Sequence, residues 1–389
     1  MKLLLIADGR SPITRRWIAM LAPLNYELVL ISSYPCEPIS GLDKHYVLPL
    51  AFASQGGSQA GTGTKNLVKQ LVSRFRPLAQ RIRHLLGPWT LSKHIDAYLD
   101  ILKTERPDLL HAFRIPFEGM LAASTPLEFP LILSTWGNDF TLHASSTGRM
   151  ESMTRKALRR ADALMSDTQC DLQRAQQWGF DPQKPCLVVP GNGGTDVDEL
   201  TAITKIIERA DPAQVINPRG LRSYVRTDTF FKAIPLVLAK KPDVQFVCAS
   251  MEGQAEAVNW VTQLGIEKNV RFLPYVSQPE LWREYAKSQV MVSNSTHDGS
   301  PNSLLEAMAL GCFPICGDIQ SIREWITDGV NGLLVDPANP GALAEAILHA
   351  LDNTDLRASA AKRNALVIRE RAGIQSARNK VKEFYEQLV

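Results

Sequence analysis

Short apolar runs recur along the chain, separated by stretches in which apolar positions return every three or four residues. The first run, Lys2 to Ala7, ends at Asp8-Gly9, and a helical pattern follows over Thr14 to Leu21 before a second run at Glu27 to Ser32. Strand, turn, helix, strand opens a doubly wound parallel sheet, because parallel neighbours need a crossover between them. Leu109 to Phe113, Pro130 to Ser134 and Ala163 to Ser166 predict further buried strands, with helices over Ile95 to Thr104, Glu118 to Ala123 and Glu151 to Arg160. Val188 to Pro190 closes this series at a glycine-rich turn, Gly191 to Gly194.

The alternation then starts afresh. Val215-Ile216 leads into Pro218-Arg219-Gly220, a helix is expected over Thr229 to Ala239, and strands over Val244 to Ser250, Asn269 to Leu273, Val290 to Ser293 and Cys312 to Cys316. Two α/β series predict two Rossmann-like domains, residues 1–200 and 201–370, with a terminal helix within 371–389 that packs on one of them. The Gly/Ser/Gln-rich stretch Ser54 to Thr64 reads as a flexible loop.

Composition narrows the class. A chain of 389 residues, 45% hydrophobic and 21% charged, has the balance of a soluble protein of two or three domains. No apolar run reaches the length of a membrane span. The apolar start is too short for a signal peptide and lacks a small-residue cleavage site, so a cytoplasmic location is expected. Six cysteines without a CxxC pair argue for reduced thiols rather than zinc or disulfides.

The net charge of +3 says little, but its distribution is uneven: Lys44 through Ile95 contains no acidic residue. Within residues 65–93, Leu67, Leu71, Phe75, Leu78, Ile82 and Leu85 recur at helical spacing beside seven lysines and arginines, with Pro77 as a break. Two readings stand: a domain helix with its apolar face in the core, or a peripheral contact with an anionic membrane at the inner face. The second would suit a lipid-linked acceptor. Aromatic residues are not interleaved as a stacking platform, so no nucleic acid is expected.

The richest segment runs from Ser293 to Gly311. It follows a strand and opens a helix near Pro301, where unpaired N–H groups and a partial positive charge suit a phosphate. Gly299 allows close approach of a ligand, and Ser300, Asn302 and Ser303 place polar groups at the first turn. Asp298 and Glu306 stand on either side, spaced to hold sugar and ribose hydroxyls about a diphosphate; the plainer alternative is a capped helix with surface carboxylates.

This segment resembles the signature of the retaining glycosyltransferases of family four, the group 1 type, which share the GT-B fold: two Rossmann-like domains facing each other across a cleft. The family pattern EGxPxxxxEAMAxGxPVV is matched with Asp298 in place of the first glutamate and Glu306-Ala-Met-Ala-Leu-Gly following. Ile322 to Val335 resembles the next family block. The likeness implies a hexosyltransferase-type enzyme that moves a sugar from a nucleotide-sugar donor, UDP- rather than GDP-linked, to a carbohydrate or lipid-linked acceptor with retention. It also implies no essential metal or other cofactor, and a leaving diphosphate that itself helps take the acceptor proton.

Asn217 to Arg226 resembles the family loop that ends in a basic residue. Arg219 fits the first cation; Arg226, with Arg222 as alternative, fits the second, and both would stabilise departing diphosphate. Arg271 to Val276 resembles the strand that meets the base, with Tyr275 and Val276 at its end. On the first domain, Gly9 lies in the loop facing the donor, and Trp136-Gly137-Asn138-Asp139 stands where relatives carry a histidine-containing stretch. Asp139 is expected at the reaction centre, with helix N-capping as the alternative. A nucleotide-sugar epimerase or a non-catalytic nucleotide-sugar-binding protein remain rival readings on the same fold.

Overall fold

The computed structural model describes residues 1–52, 81–222 and 224–389. It divides into two compact units, residues 1–193 with 378–389, and residues 194–377. Residues 53–80, with the loop expected over Ser54 to Thr64 and the basic stretch as far as residue 80, lie outside the described residues.

In the first unit, seven described strands form one parallel sheet: β1 (Lys2–Ala7), β2 (Glu27–Ser32), β3 (Lys44–Val47), β4 (Leu109–Phe113), β5 (Leu131–Thr135), β6 (Ala163–Ser166) and β7 (Cys186–Val188). Their order is β3-β2-β1-β4-β5-β6-β7. Every residue of β4, β5 and β6 is buried, as expected where helices cover both faces. The chain winds outward in one direction from β1 and in the other from β4, so the switch point lies between them. Ligands of such sheets bind beyond the strand C-termini at that place.

The helix Pro12–Leu21 follows β1, capped by Ser11, whose Oγ accepts from the Ile13 N–H. After β4 the expected helix Glu118 to Ala123 is replaced by a tight turn over Ile115–Gly119 and a short helix, Met120–Ala122. Pro116 and Phe117 depart from helical backbone angles there, Phe117 with φ of 68°. Pro116 disfavours helix at Ile115, and the segment spends its residues on a turn instead.

The terminal helix Ile374–Glu386 contributes Arg378 onward to this unit. The Tyr385 hydroxyl lies 2.7 Å from His111 Nδ1 and accepts from Trp17 Nε1 at 3.3 Å, while Arg378 Nε donates to the Met20 carbonyl at 2.8 Å. This buried network ties the last helix to β4 and to the helix after β1.

In the second unit, six described strands run parallel: β8 (Gln214–Asn217), β9 (Gln245–Cys248), β10 (Val270–Phe272), β11 (Val290–Ser293), β12 (Phe313–Gly317) and β13 (Leu333–Val335), in the order β10-β9-β8-β11-β12-β13. Alternate residues feed separate cores: Val215, Phe246, Val292 and Ile315 pack on one face, Ile216, Val247, Met291 and Cys316 on the other. Both units are doubly wound. Here the switch point lies between β8 and β11, the two strands followed by the candidate residues.

Candidate functional site

β8 ends at Asn217, whose Oδ1 accepts the Arg219 N–H at 3.1 Å and so turns the chain sharply out of the strand. That turn aims the Arg219 side chain at the segment after β11. Its Nη2 donates to Asp298 Oδ2 at 2.6 Å and its Nη1 to Ser303 Oγ at 3.0 Å. Arg219 and Asp298 side chains are only 9% and 14% exposed. Burial would lower the pKa of the guanidinium, but the Asp298 carboxylate raises it overall, so its charge is secure.

The segment bearing Asp298 is held from several sides. The Thr296 N–H donates to the Tyr224 carbonyl at 2.8 Å, Asn294 Nδ2 to the Arg226 carbonyl at 3.0 Å, Ser321 Oγ to the Asp298 carbonyl at 2.7 Å, and Trp325 Nε1 to Ser300 Oγ at 2.8 Å. Gly299 and Ser300 are buried beneath it. The helix Asn302–Ala309 then starts one residue later than expected, with Pro301 as its N-cap and no side-chain cap on its first turn. A rigid loop thus meets a helix N-terminus whose amides carry partial positive charge.

Four buried polar atoms at this strand edge lack hydrogen-bond partners among the described residues: Arg219 Nε, Asn217 Nδ2, Asn294 Oδ1 and Ser295 Oγ. An unsatisfied buried donor or acceptor costs roughly 1–3 kcal/mol. Their gathering at the C-terminal ends of β8 and β11 is the mark of a site shaped for a polar ligand rather than for packing.

Glu306 is 4% exposed and accepts from Gln278 Nε2, so its carboxylate faces the helix Gln278–Lys287 at one end of the same surface. It is not a solvated surface residue. Arg226, expected as the second cation at the diphosphate, is already engaged: its Nε and Nη2 donate to both oxygens of Asp228 at 3.0 and 3.1 Å, and its backbone takes φ of 49° before the helix Thr227–Leu238. Asp228 holds the Arg226 pKa up, and Arg226 holds that of Asp228 down. Arg222 instead donates to the Tyr224 hydroxyl at 3.1 Å from an exposed position. Tyr275 is 87% exposed, while Val276 packs partly into the core beside Leu273 and Leu281.

In the first unit, Asp139 is 1% exposed and serves other groups. Its Oδ1 accepts from Arg114 Nε and Nη2 at 3.1 and 2.7 Å, and its Oδ2 from the Ile115 and Trp136 N–H groups, each at 3.2 Å. Neither helix N-cap nor free group, it is the buried counter-ion that pins the loops after β4 and β5 together. Gly9 is buried with its N–H on Ser32 Oγ at 3.0 Å; a Cβ there would stand 2.5 Å from Cys36 Sγ and 2.9 Å from Ser32 Oγ. Its smallness is demanded by the neighbouring strand. Arg114 is the residue that sequence reasoning missed, for a lone arginine after a strand carries no motif.

Among the described residues no three His, Cys, Asp or Glu side chains gather to hold a metal, and no helix is long and apolar enough to cross a membrane.

Comparison with known proteins follows the same division. A model of glycosyl transferases group 1 matches residues 200–366, and a glycosyl transferase 4-like domain matches residues 9–191. A D-inositol 3-phosphate glycosyltransferase of Geodermatophilus obscurus is 29% identical over 222 residues, 53% of this chain and 49% of that protein. A GDP-mannose:cellobiosyl-diphosphopolyprenol alpha-mannosyltransferase of Xanthomonas campestris is 23% identical over 260 residues, covering 62% of this chain and 63% of the relative. The chain thus spans about half the length of the first of these relatives. Among solved structures, Anabaena Alr3699/HepE in complex with UDP superposes with a TM-score of 0.70 over 100% of both chains at 14% identity, a likeness of fold. Two matched domains in the right order, the Asp298 to Glu306 signature and two doubly wound units agree: this chain belongs to the group 1 glycosyltransferases and has the GT-B fold.

Proposed function

We propose that the protein transfers a hexosyl group from a nucleotide-diphosphate sugar, UDP- rather than GDP-linked, to an acceptor hydroxyl with retention of configuration. The observation that carries this reading is the buried Arg219, forked between Asp298 and Ser303 with Nε left unpaired at the β8/β11 switch point. A diphosphate beside the Asn302–Ala309 N-terminus would meet that guanidinium and the first-turn amides. Arg226, already bonded to Asp228, contributes field rather than a fork unless it exchanges partners. Asp298 contacts the donor sugar, and Glu306 accepts from the ribose hydroxyls in place of the Gln278 amide.

In the reaction the bond between the anomeric carbon and the diphosphate oxygen breaks, and its electron pair leaves with the nucleotide. The acceptor oxygen bonds to the anomeric carbon on the same face and its proton passes to the departing phosphate oxygen. Arg219 stabilises charge that grows on the diphosphate. The first unit takes the acceptor, and Asp139 acts there by holding Arg114 and two loop amides in place. No metal is required by this scheme.

UDP is favoured by the fold likeness to a protein solved with UDP; the Xanthomonas relative, named for GDP-mannose, makes GDP the comparison to run. A peripheral place on the inner face of an anionic membrane, with a lipid-linked acceptor, is part of the same proposal. It is supported by residues 81–90, a helix whose Ile82, Leu85, Leu86 and Trp89 are each about half exposed rather than packed in the core. Sedimentation with phosphatidylglycerol vesicles at low salt is expected to carry the protein down; none bound would remove the membrane from the proposal.

For the reaction, the protein is incubated with UDP-glucose, UDP-galactose and GDP-mannose, nucleotide release is measured, and the anomeric configuration of the product is read by NMR. Release of UDP in excess of GDP, with the donor's configuration kept, supports the proposal. An inverted product, an epimerised donor, or tight binding without turnover would each assign the protein elsewhere on the same fold.

A further inference from the structure

A cavity of about 450 Å³ lies within the first unit, beyond the ends of β1, β2, β4 and β5. This is the β1/β4 switch point, where a doubly wound sheet offers a ligand site. Its walls include Arg10, Tyr34, Arg83, Arg114, Trp136 and the His84–His143 pair.

The three arginines differ in what they already hold. Arg10 is spoken for: its Nε and Nη2 donate to both oxygens of Asp8 at 3.1 and 3.0 Å, and its guanidinium lies 3.5 Å over the Tyr34 ring. Arg114 is anchored by Asp139, through Nε and Nη2 to one oxygen. Arg83 is different. Its guanidinium lies 4.5 Å from the Phe117 ring centre and 5.5 Å from that of Tyr34, and among the described residues its buried Nε has no hydrogen-bond partner and its charge no carboxylate.

The remaining titratable groups of the walls do not cancel this charge. His84 Nε2 lies 3.0 Å from His143 Nδ1, so one ring donates and the other accepts. Burial, reinforced by Arg114 and Arg83, pushes His143 down to about 3, and burial with Arg83 lowers His84. Glu118 is buried with its Oε1 on Ser33 Oγ, and burial pushes its pKa up, against Arg114 and Arg83. Desolvation thus works against charge on both histidines and on this carboxyl, while arginine keeps its proton.

The cavity thus joins a stacked guanidinium with no described ion-pair partner and a second one braced by a buried carboxylate to walls that include Tyr34, Phe113, Phe117 and Trp136, a combination that suits an anion attached to a ring or polyol. Planar guanidinium donors match phosphate oxygens in pairs, and the aromatic walls give a sugar or cyclitol face something to lie against. We propose that this cavity receives an acceptor bearing a phosphate ester, held by Arg83 and Arg114. The word acceptor rests on the glycosyl-transfer reading; the phosphate site itself does not.

The phosphate could belong to a free monoester or to the diester headgroup of a lipid, and water-soluble probes separate these. The full chain is titrated by calorimetry with sn-glycerol 3-phosphate, glycerophosphoglycerol, glycerol and glucuronate, and with UDP for the second unit. Monoester or diester binding is expected, with glycerol and glucuronate at least tenfold weaker; whichever phosphate binds more tightly names the source. Arg83→Gln, chosen because no described carboxylate depends on Arg83, should weaken that binding at least tenfold and leave UDP binding unchanged, and Arg83→Lys should recover part of it. Failure of both phosphates to bind, glucuronate binding better, or phosphate binding indifferent to Arg83→Gln would each overturn the site. Loss of UDP binding in the parent protein would instead strike the donor reading and leave this one standing.

Discussion

Replacing Arg219 by alanine removes two hydrogen bonds, at 2.6 Å to Asp298 and 3.0 Å to Ser303, and strands the Asp298 carboxylate, 14% exposed, without its counter-ion. Breaking a buried pair from one side costs about 3–5 kcal/mol. The residual access of solvent to Asp298 places this case at the lower end, about 3 kcal/mol. Loss of a charge-stabilising donor at a developing anion separately lowers turnover roughly 10²–10³-fold.

The two effects are separable. In Arg219→Met with Asp298→Leu both charges go together, so urea unfolding should return to within about 1–2 kcal/mol of the parent. Nucleotide release should not recover. Urea midpoints and initial rates of UDP release are measured for the parent, both single variants and the double variant. If Arg219→Ala keeps donor affinity and turnover within about threefold, less than one ordinary hydrogen bond, the diphosphate is not bound at this arginine. If the double variant regains turnover along with stability, the arginine serves folding alone.

Glu306→Ala should weaken UDP binding by about 1.5–3 kcal/mol, the loss of a hydrogen bond to a charged group; calorimetry checks it, and an unchanged affinity would take the ribose away from Glu306. Gly9→Ala forces a Cβ to within 2.5 Å of Cys36 Sγ and should destabilise the first unit by about 1–3 kcal/mol, seen as a lower urea midpoint. Acid should also destabilise. His111 and His143 are pushed down to about 3 by burial, so between pH 3 and their unfolded value near 6.5 the unfolded chain binds more protons. Stability therefore falls as pH drops through that window, by up to about 1.4 kcal/mol per pH unit for each histidine. Burial pushes His45, His84 and His94 the same way, while Glu118 and Asp171, pushed up, oppose it. A urea midpoint at pH 5 no lower than at pH 7 would contradict the assignment.

The inner strands could be read from the chain because burial on both faces makes them near-continuous apolar runs, as in β1, β2 and β11. Edge strand β3, Lys-His-Tyr-Val over Lys44–Val47, has no such run and escaped notice. The Asp298 to Glu306 segment was legible because its chemistry is local: loop, helix start and two carboxylates lie within one stretch. Arg226 was not legible, since its engagement depends on Asp228 and on a left-handed backbone angle that residue type does not announce. Asp139 carries the same lesson. Its place near a strand end suggested chemistry, but its two oxygens face partners contributed by Arg114 and Ile115, some 25 residues earlier. The cavity of the first unit draws Arg83, Arg114 and His143 from three separate segments, so no window of sequence contains it.

The most direct test is a crystal structure of the full chain with UDP. The two phosphates should lie within hydrogen-bonding distance of Arg219 and the Asn302 and Ser303 amides, with the ribose hydroxyls on Glu306. A nucleotide bound elsewhere, with the Arg219–Asp298–Ser303 fork intact and untouched, would contradict it.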